Sequence, residues 1–399
     1  MNLSHDAVEA IALVAGFVLA CLVTLATTPL VRTYARRRGV VDKPEARRVN
    51  KRAIARGGGI AIAAGFVSVS LLMLALDSSL GWNLAAGTAG VGPRQVLALL
   101  GGAVLAVGIG LLDDFFQLRA RWQFLGQFTL AGVAVALGVS VGSVNFPLAK
   151  DGSLILAGLG PIAAAAAVVW IVGLVNSINF IDGLDGLSTG IALIAAVTLG
   201  AISLGVGTDE PEPVIALFCF ILAGALAGFL RWNFHPASIF SGTSGIMLVG
   251  YSLAVLSILG AAKIAVALLV LGVPIMDTFW IIVRRTAAGR SPFAPDRGHI
   301  HHRLLDLGFS HRNTVLVIYG VCILLAVLSL VLSVNGQMYA FLGLVVVFGL
   351  ALFLIERLGG GAAAIQESLE ADSYAGGNGN GDTAAPADGG ESEHDRPEL

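Results

Sequence analysis

The sequence predicts an all-α polytopic membrane protein of about eleven transmembrane helices, and three observations carry that expectation. Of its 399 residues, 56% are hydrophobic and only 13% charged, about half the charged share of a soluble chain. The mean hydropathy is +0.85. Apolar residues fall in runs close to the roughly 20 residues that cross a bilayer, and Lys and Arg collect in alternate connections between those runs. Glycine is abundant (51) and proline scarce (13), which suits packed membrane helices better than a loop-rich soluble domain.

The spans, in order, lie near 8–31, 58–77, 95–112, 122–141, 154–175, 187–206, 213–230, 245–261, 264–283, 314–333 and 338–355; the eighth is short. With the N-terminus outside, the inward connections and C-terminal tail hold 21 of the 24 Lys and Arg residues, ten of them between Arg32 and Arg56. Only Arg94, Lys150 and Lys263 remain outside, beside the acidic "TDEPEP". Such asymmetry places the C-terminus in the cytoplasm. Residues 1–357 form one multi-span domain. Residues 358–399, rich in Gly, Ala and acids, lack the apolar content to fold and are expected to be a disordered cytoplasmic tail. Cys21, Cys219 and Cys322 sit inside apolar runs with no metal-type spacing and read as small packing residues.

The polar motifs test this orientation independently, because Lys and Arg alone set it. "GLLDD" ends span 3 with Asp113 and Asp114, and "VNSINFIDGLDGLSTG" ends span 5. "RWNFHPASIFSGTSG" joins spans 7 and 8, Asp277 approaches the end of span 9, and "RGHIHHRL" lies in the connection after it. All five fall on the predicted cytoplasmic side, so one polar site assembled from five places is expected there.

Asn176, Asn179, Asp182 and Asp185 step by three residues. On a straight helix, each such step rotates the side chain back by about 60°, so convergence of the four requires the helix to tighten or break. Gly183 and Gly186 supply the freedom to do so. A polar turn that merely caps a helix leaving the membrane is the plainer alternative. Asp113 and Asp114 equally suit two acids ending a span in water, or a pair holding one Mg²⁺ whose shell substrate phosphates complete. His299, His301, His302 and Arg303 suit phosphate oxygens better than zinc, since no Cys or Glu completes a tetrahedral set nearby; a solvated basic stretch is the alternative. Phe240 is by default an interfacial anchor.

Taken together and in order, "GLLDD", "NSINFIDGLDGLSTG", "RWNFHPASIF" and "RGHIHHRL", with "VDKPEARR" and "GGGIAI" in the first inner connection, resemble the bacterial polyprenyl-phosphate N-acetylhexosamine-1-phosphate transferases. These belong to glycosyl transferase family 4 and are sisters of the phospho-N-acetylmuramoyl-pentapeptide transferases. The likeness runs from about residue 25 to 320. It implies transfer of an N-acetylhexosamine-1-phosphate, on the pattern of GlcNAc-1-phosphate, from a UDP-N-acetylhexosamine to an undecaprenyl-type polyprenyl phosphate. UMP would be released in a first membrane step of cell-envelope glycan synthesis in the bacterial cytoplasmic (inner) membrane. Mg²⁺ is the implied cofactor, with Mn²⁺ as a substitute. No nucleic-acid partner is expected, and a homodimer is left open.

By the same resemblance Asp113, Asp114 and Asp182 are the catalytic acids, with the general base open between the first two. Asp113, Asp114 and position 243 hold the metal. Asn176, Asn179, Asp185, Asn233 and Phe240 bind substrate, the uracil stacking on Phe240, and His299, His301, His302 and Arg303 contact phosphates and sugar. Three positions depart from the family pattern. The metal-binding Asp of "GDxGS" is Thr243, followed by Ile246 in place of Ser; the Lys before "FLGQ" is Gln123; and the His of "RKxH" is Asn50. The first two remove charge from the implied reaction centre, so a non-catalytic relative binding lipid phosphate or a partner enzyme stands as the alternative.

Overall fold

The computed structural model describes residues 5–42, 53–82, 84, 91–145, 153–155, 160–206, 211–260, 263–287, 289, 299–333 and 335–350. Its helices are α1 (His5–Arg37), α2 (Gly59–Leu80), α3 (Pro93–Phe116), α4 (Ala120–Ala136), α5 (Gly160–Ile181), α6 (Leu187–Ser203), α7 (Pro213–Asn233), α8 (Gly242–Leu259), α9 (Lys263–Val270), α10 (Gly272–Ala287), α11 (Ile300–Asp306), α12 (His311–Val331) and α13 (Asn335–Leu350). Two short antiparallel hairpins accompany them: β1 (Val41–Asp42) with β2 (Ile54–Ala55), and β3 (Ser143–Asn145) with β4 (Ser153–Ile155). The chain divides into units 1–345 and 346–399; of the second, only residues 346–350, the end of α13, are described. The expected tail lies outside the described residues, as does Asn50.

Every stretch expected to span carries a helix or a broken pair, and the protein is an all-α, multi-pass membrane protein. Among the described residues, seven helices (α1, α2, α3, α5, α7, α8 and α12) are long and apolar enough to cross, and the bent pair α9–α10 makes an eighth if it is one span. The remaining expected spans, α4, α6 and α13, are shorter. α4 and α6 have 17 residues each, about 25 Å at 1.5 Å per residue against a hydrocarbon core of about 30 Å, and α13 is also shorter. α9 and α10 meet at 76°, where Gly272 and Pro274 lie two apart and the proline can donate no hydrogen bond back to the preceding turn.

The centre of the bundle is α8, whose residues Gly242 to Ile258 are buried throughout. Tyr251 donates its hydroxyl to the Ala98 carbonyl of α3 at 2.6 Å, and Trp170 of α5 donates its indole N–H to Ser257 at 2.9 Å. On the opposite flank α7 lies against α1 through Gly224 and Gly228; a Cβ on either would strike the backbone of Phe17 or Cys21, the close approach that small residues one turn apart permit. Large apolar side chains remain exposed along α1 (Leu22, Leu30), α3 (Val104, Leu112) and α12 (Leu324, Val331), which a bilayer covers and water would not favour. Cys219 and Cys322 are buried, Cys21 partly so, and all three are free thiols.

Candidate active site

The C-terminal end of α3 meets the N-terminal end of α8, and Gly110 allows it: a Cβ there would overlap the Ser244 and Thr243 backbone. This contact places the last turn of α3 beside the unpaired N–H groups that begin α8. Asp114 takes them. Its Oδ1 accepts from the Thr243 N–H at 2.8 Å, and its Oδ2 accepts from the Ser244 N–H at 3.1 Å and the Ser244 hydroxyl at 2.7 Å. The carboxylate is fully buried, with the Arg56 guanidinium 3.8 Å away. A carboxylate at a helix N-terminus is favoured by both hydrogen bonding and the helix dipole, so Asp114 ties α3 to α8.

Asp113 is held differently. Its Oδ1 accepts from the Leu118 N–H at 2.9 Å and the Gln123 side-chain amide at 2.8 Å, and its Oδ2 accepts from the Thr243 hydroxyl at 2.5 Å. Gln123 and Thr243, two of the three departures, thus grip the two oxygens of a single carboxylate.

α5 runs through Ile181 and stops; residues 182–186 turn, and α6 starts at Leu187. Gly186 makes the reversal in the left-handed region, at φ +79°. The helix therefore breaks, as the three-residue spacing requires, but only three of the four polar groups gather. Asn179, Asp182 and Asp185 line a cavity of about 340 Å³. Asn176 does not; it pairs with Gln127 of α4, donating at 2.6 Å, and bonds the Val172 carbonyl at 2.7 Å.

Asp182 keeps a partly exposed edge at this cavity, while the Ser188 hydroxyl bonds its Oδ1 and the Ser241 hydroxyl its Oδ2, the latter at 3.1 Å. Desolvation holds its carboxyl above the usual range, against the opposing pull of those hydroxyls and of Arg56. Ser241 and Thr243 lie two residues apart, so the head of α8 joins Asp182 to Asp113.

The wall also includes Asp42, Arg56, Asn233, Phe240, Thr243, Ile246 and His302. Asn233 is fixed from both ends, accepting from Thr189 at 2.8 Å and donating to the Ile239 carbonyl at 3.1 Å. This holds the 233–240 segment in place with Phe240 at the cavity. Asp185 accepts the Ala237 N–H at 3.0 Å and meets His235 at 2.8 Å, while its own N–H donates to His311 at 2.9 Å.

The "HIHH" run divides its labour. His299 turns to Asp277 at 2.7 Å, and Asp277 also accepts the Ile300 N–H at 2.9 Å. His301 is 1% exposed, packs under Gly183 and has neither ring nitrogen hydrogen-bonded among the described residues. Burial, reinforced by neighbouring His302, His299 and His311, pushes its imidazole down to about 2. His302 reaches the cavity, whereas Arg303, next on α11, is not among the residues lining it.

Two sets of side chains have metal-binding chemistry. Asp185, His235 and His311 bring one ligand atom each within 4.8 Å of one another. That set is nitrogen-rich, His235 already meets the Asp185 carboxylate and His311 the Asp185 backbone N–H, and the two rings stack at 4.3 Å, an arrangement suited to fastening three segments together. Of the expected ligands Asp113, Asp114 and Thr243, only Thr243 is among the residues lining the cavity, where Asp182 also stands; Asp113 meets Thr243, and Asp114 is taken up by the head of α8. Asp113, Asp182 and Thr243 offer oxygen atoms only, the ligand type Mg²⁺ prefers. The chemistry of the oxygen set therefore fits a magnesium ion. Ser188, Ser241 and Ser244 lie inside the quoted motifs but are not singled out there, Gln123 is marked only as a departure, and Arg56 counts only among the basic residues of the first inner connection.

Comparison with known proteins follows the same residues. The model of glycosyl transferase family 4 matches residues 96–261, which include Asp113, Asp114, Asp182, Asp185, Asn233, Phe240 and Thr243. A Bacillus subtilis protein named as a probable undecaprenyl-phosphate N-acetylglucosaminyl 1-phosphate transferase is 35% identical over 86% of this chain and 90% of its own. Decaprenyl-phosphate N-acetylglucosaminephosphotransferases of Mycolicibacterium smegmatis and Mycobacterium tuberculosis are 36% and 37% identical, covering 87% and 84% of this chain and 89% and 87% of theirs. With likeness of this extent over most of its length, the chain is a membrane-embedded enzyme of glycosyl transferase family 4.

Proposed function

We propose that the protein transfers N-acetylglucosamine-1-phosphate from UDP-N-acetylglucosamine to a polyprenyl phosphate on the cytoplasmic face of the bacterial inner membrane, as the first membrane step of a cell-envelope glycan. The single observation that carries this reading is the composition of the cavity, which brings the aromatic ring of Phe240, the amides and carboxylates of Asn179, Asn233, Asp182 and Asp185, and the side chains of Arg56 and His302 into one lining. Those side chains suit a base, a ribose and phosphates. The relatives named above act on polyprenyl phosphates, and the basic residues that set the orientation support a cytoplasmic opening and an eleven-span chain with its N-terminus outside.

In the reaction, an oxygen of the lipid phosphate attacks the β-phosphorus of the UDP-sugar. The bond from that phosphorus to the bridging oxygen breaks, UMP leaves with the oxygen, and a polyprenyl-diphospho-sugar remains. A phosphate monoester loses its second proton near pH 6, so at neutral pH the nucleophile is mostly deprotonated already, and charge neutralisation matters more than proton removal. Asp113, Asp182 and Thr243 would hold Mg²⁺, which when bound supplies charge stabilisation at the transferring phosphoryl oxygens. Asp114 keeps α3 and α8 in register, Phe240 stacks the uracil, and Asp277 holds the His299 end of α11 so that His302 stays at the cavity. The direct test is mass identification of the lipid product after incubation with UDP-GlcNAc and undecaprenyl phosphate; a polyprenyl-diphospho-N-acetylhexosamine is expected from wild type, and its absence would overturn the reading.

One observation favours a second reading, in which the same cavity binds lipid phosphate or a partner enzyme without transfer. Asp113 is closed by neutral donors where the family pattern has a Lys and a metal-binding Asp. Binding of polyprenyl phosphate with no lipid-linked sugar formed would identify it.

A further inference from the structure

Residues 54–59 lie alongside the Phe240 segment. Ala55 forms a parallel bridge with Ile239, the Phe240 N–H donates to the Ala55 carbonyl at 2.8 Å, and Gly58 and Gly59 donate to the Phe240 and Ser241 carbonyls at 3.0 Å each. This seam fixes Arg56 between the head of α8 and β1, where its own N–H donates to the Val40 carbonyl at 3.0 Å. Its guanidinium stands 4.0 Å from Asp42 and 3.8 Å from Asp114. Both separations hold a charge in place, yet both exceed hydrogen-bond length, and among the described residues the guanidinium makes no hydrogen bond. Its side chain is 25% exposed and lines the cavity.

A guanidinium carries five N–H donors in a planar fork that matches phosphate oxygens. Here that fork is positioned by two carboxylates that leave its donors open. It is also the only Lys or Arg among the described residues lining the cavity. From this placement we infer that Arg56 is a phosphate-binding residue of the site, donating to phosphoryl oxygens of the ligand in the cavity. The inference deepens the transferase reading and rests on it for the identity of the ligand. Among the described residues lining the cavity, Arg56 supplies the fixed positive charge. The phosphoryl oxygens belong either to the diphosphate of the donor or to the monophosphate of the lipid acceptor.

The experiment compares the full-length protein in lipid nanodiscs with Arg56→Lys and Arg56→Gln, titrating inorganic pyrophosphate, UDP and uridine, and measuring KM for polyprenyl phosphate. Pyrophosphate is the probe that does not depend on the transferase reading, since it carries the oxygens without a nucleoside. If the donor is the source, Arg56→Gln weakens UDP and pyrophosphate at least tenfold, leaves uridine unchanged, and Arg56→Lys falls between. If the acceptor is the source, Arg56→Gln raises KM for polyprenyl phosphate at least tenfold and leaves UDP, pyrophosphate and uridine binding at wild-type values. Wild-type values for all ligands in Arg56→Gln, or equal loss for uridine and UDP in both variants, overturn the assignment. Wild-type protein that binds pyrophosphate through Arg56 but transfers no sugar would sink the transferase reading and leave this one standing.

Discussion

The Thr243 hydroxyl lies 2.5 Å from Oδ2 of Asp113, and the Gln123 amide lies 2.8 Å from Oδ1. Two positions 120 residues apart in sequence therefore answer to one carboxylate, and their departures from the family pattern are coupled. Restoring Asp at 243 alone would set a second carboxylate against Asp113, a repulsion of about 1–4 kcal/mol for charges near 4 Å apart. Thr243→Asp should lower the melting temperature in Mg²⁺-free detergent, with Mg²⁺ recovering more stability in the variant than in wild type. Adding Gln123→Lys should offset the loss and raise activity at low Mg²⁺ more than at saturating Mg²⁺. A Thr243→Asp protein as stable as wild type without Mg²⁺ would show that the two side chains do not meet.

Asp182 gives a prediction with opposite signs for stability and function. Its carboxyl is raised by desolvation, so the charged form is less favourable in the folded protein than in the unfolded chain. Its contribution to stability is full below the unfolded value, about 3.9, and is lost as pH rises through the folded value. Asp182→Asn should therefore melt higher than wild type at pH 7, by more than at pH 4, while transfer falls at least a hundredfold. A variant that melts lower at pH 7 and retains near-normal turnover would contradict both halves.

His301 should behave as a buried neutral ring. With its imidazole pushed down to about 2, the folded protein takes up no proton there between pH 7 and 5, whereas the unfolded chain does below about 6.5. Wild-type stability should fall as pH drops through that window, by at most about 1.4 kcal/mol per pH unit from this group. His301→Gln should flatten the slope and leave the pH profile of transfer in place. Equal slopes in the two proteins would mean that the ring protonates when folded.

Much of this arrangement was legible in the sequence. The distribution of basic residues puts the five polar clusters on one side of the chain, and Asn179, Asp182, Asp185, Asn233, Phe240, Thr243 and His302 line one cavity. The stepped polar run also required the helix break that Gly186 makes. What could not be read was the partner each polar group would find. Asn176 faces Gln127 because of the phase of α4 against α5, and His299 faces Asp277, 22 residues earlier, because α10 and α11 converge. Arg56 gave no signal, since its position follows from a backbone seam with Ile239 and Phe240. The count of spans was the least legible feature: apolar composition marks α4, α6 and α13 as clearly as the rest, and only their length separates them.

Orientation has its own test. Leu307, 61% exposed, follows α11, and Val206, 45% exposed, follows α6. A cysteine at 307 should react with a membrane-impermeant maleimide only from the cytoplasmic side, and one at 206 only from outside intact cells. Labelling of position 307 from outside would invert the topology.

The central claim is tested most directly by UMP release from UDP-GlcNAc by the purified full-length protein in nanodiscs, with and without polyprenyl phosphate, across a Mg²⁺ titration. The account predicts UMP and lipid-linked sugar formed one for one, only when the lipid phosphate is present, abolished by EDTA and restored by Mg²⁺. A folded protein that binds UDP yet releases no UMP at any Mg²⁺ concentration would contradict it.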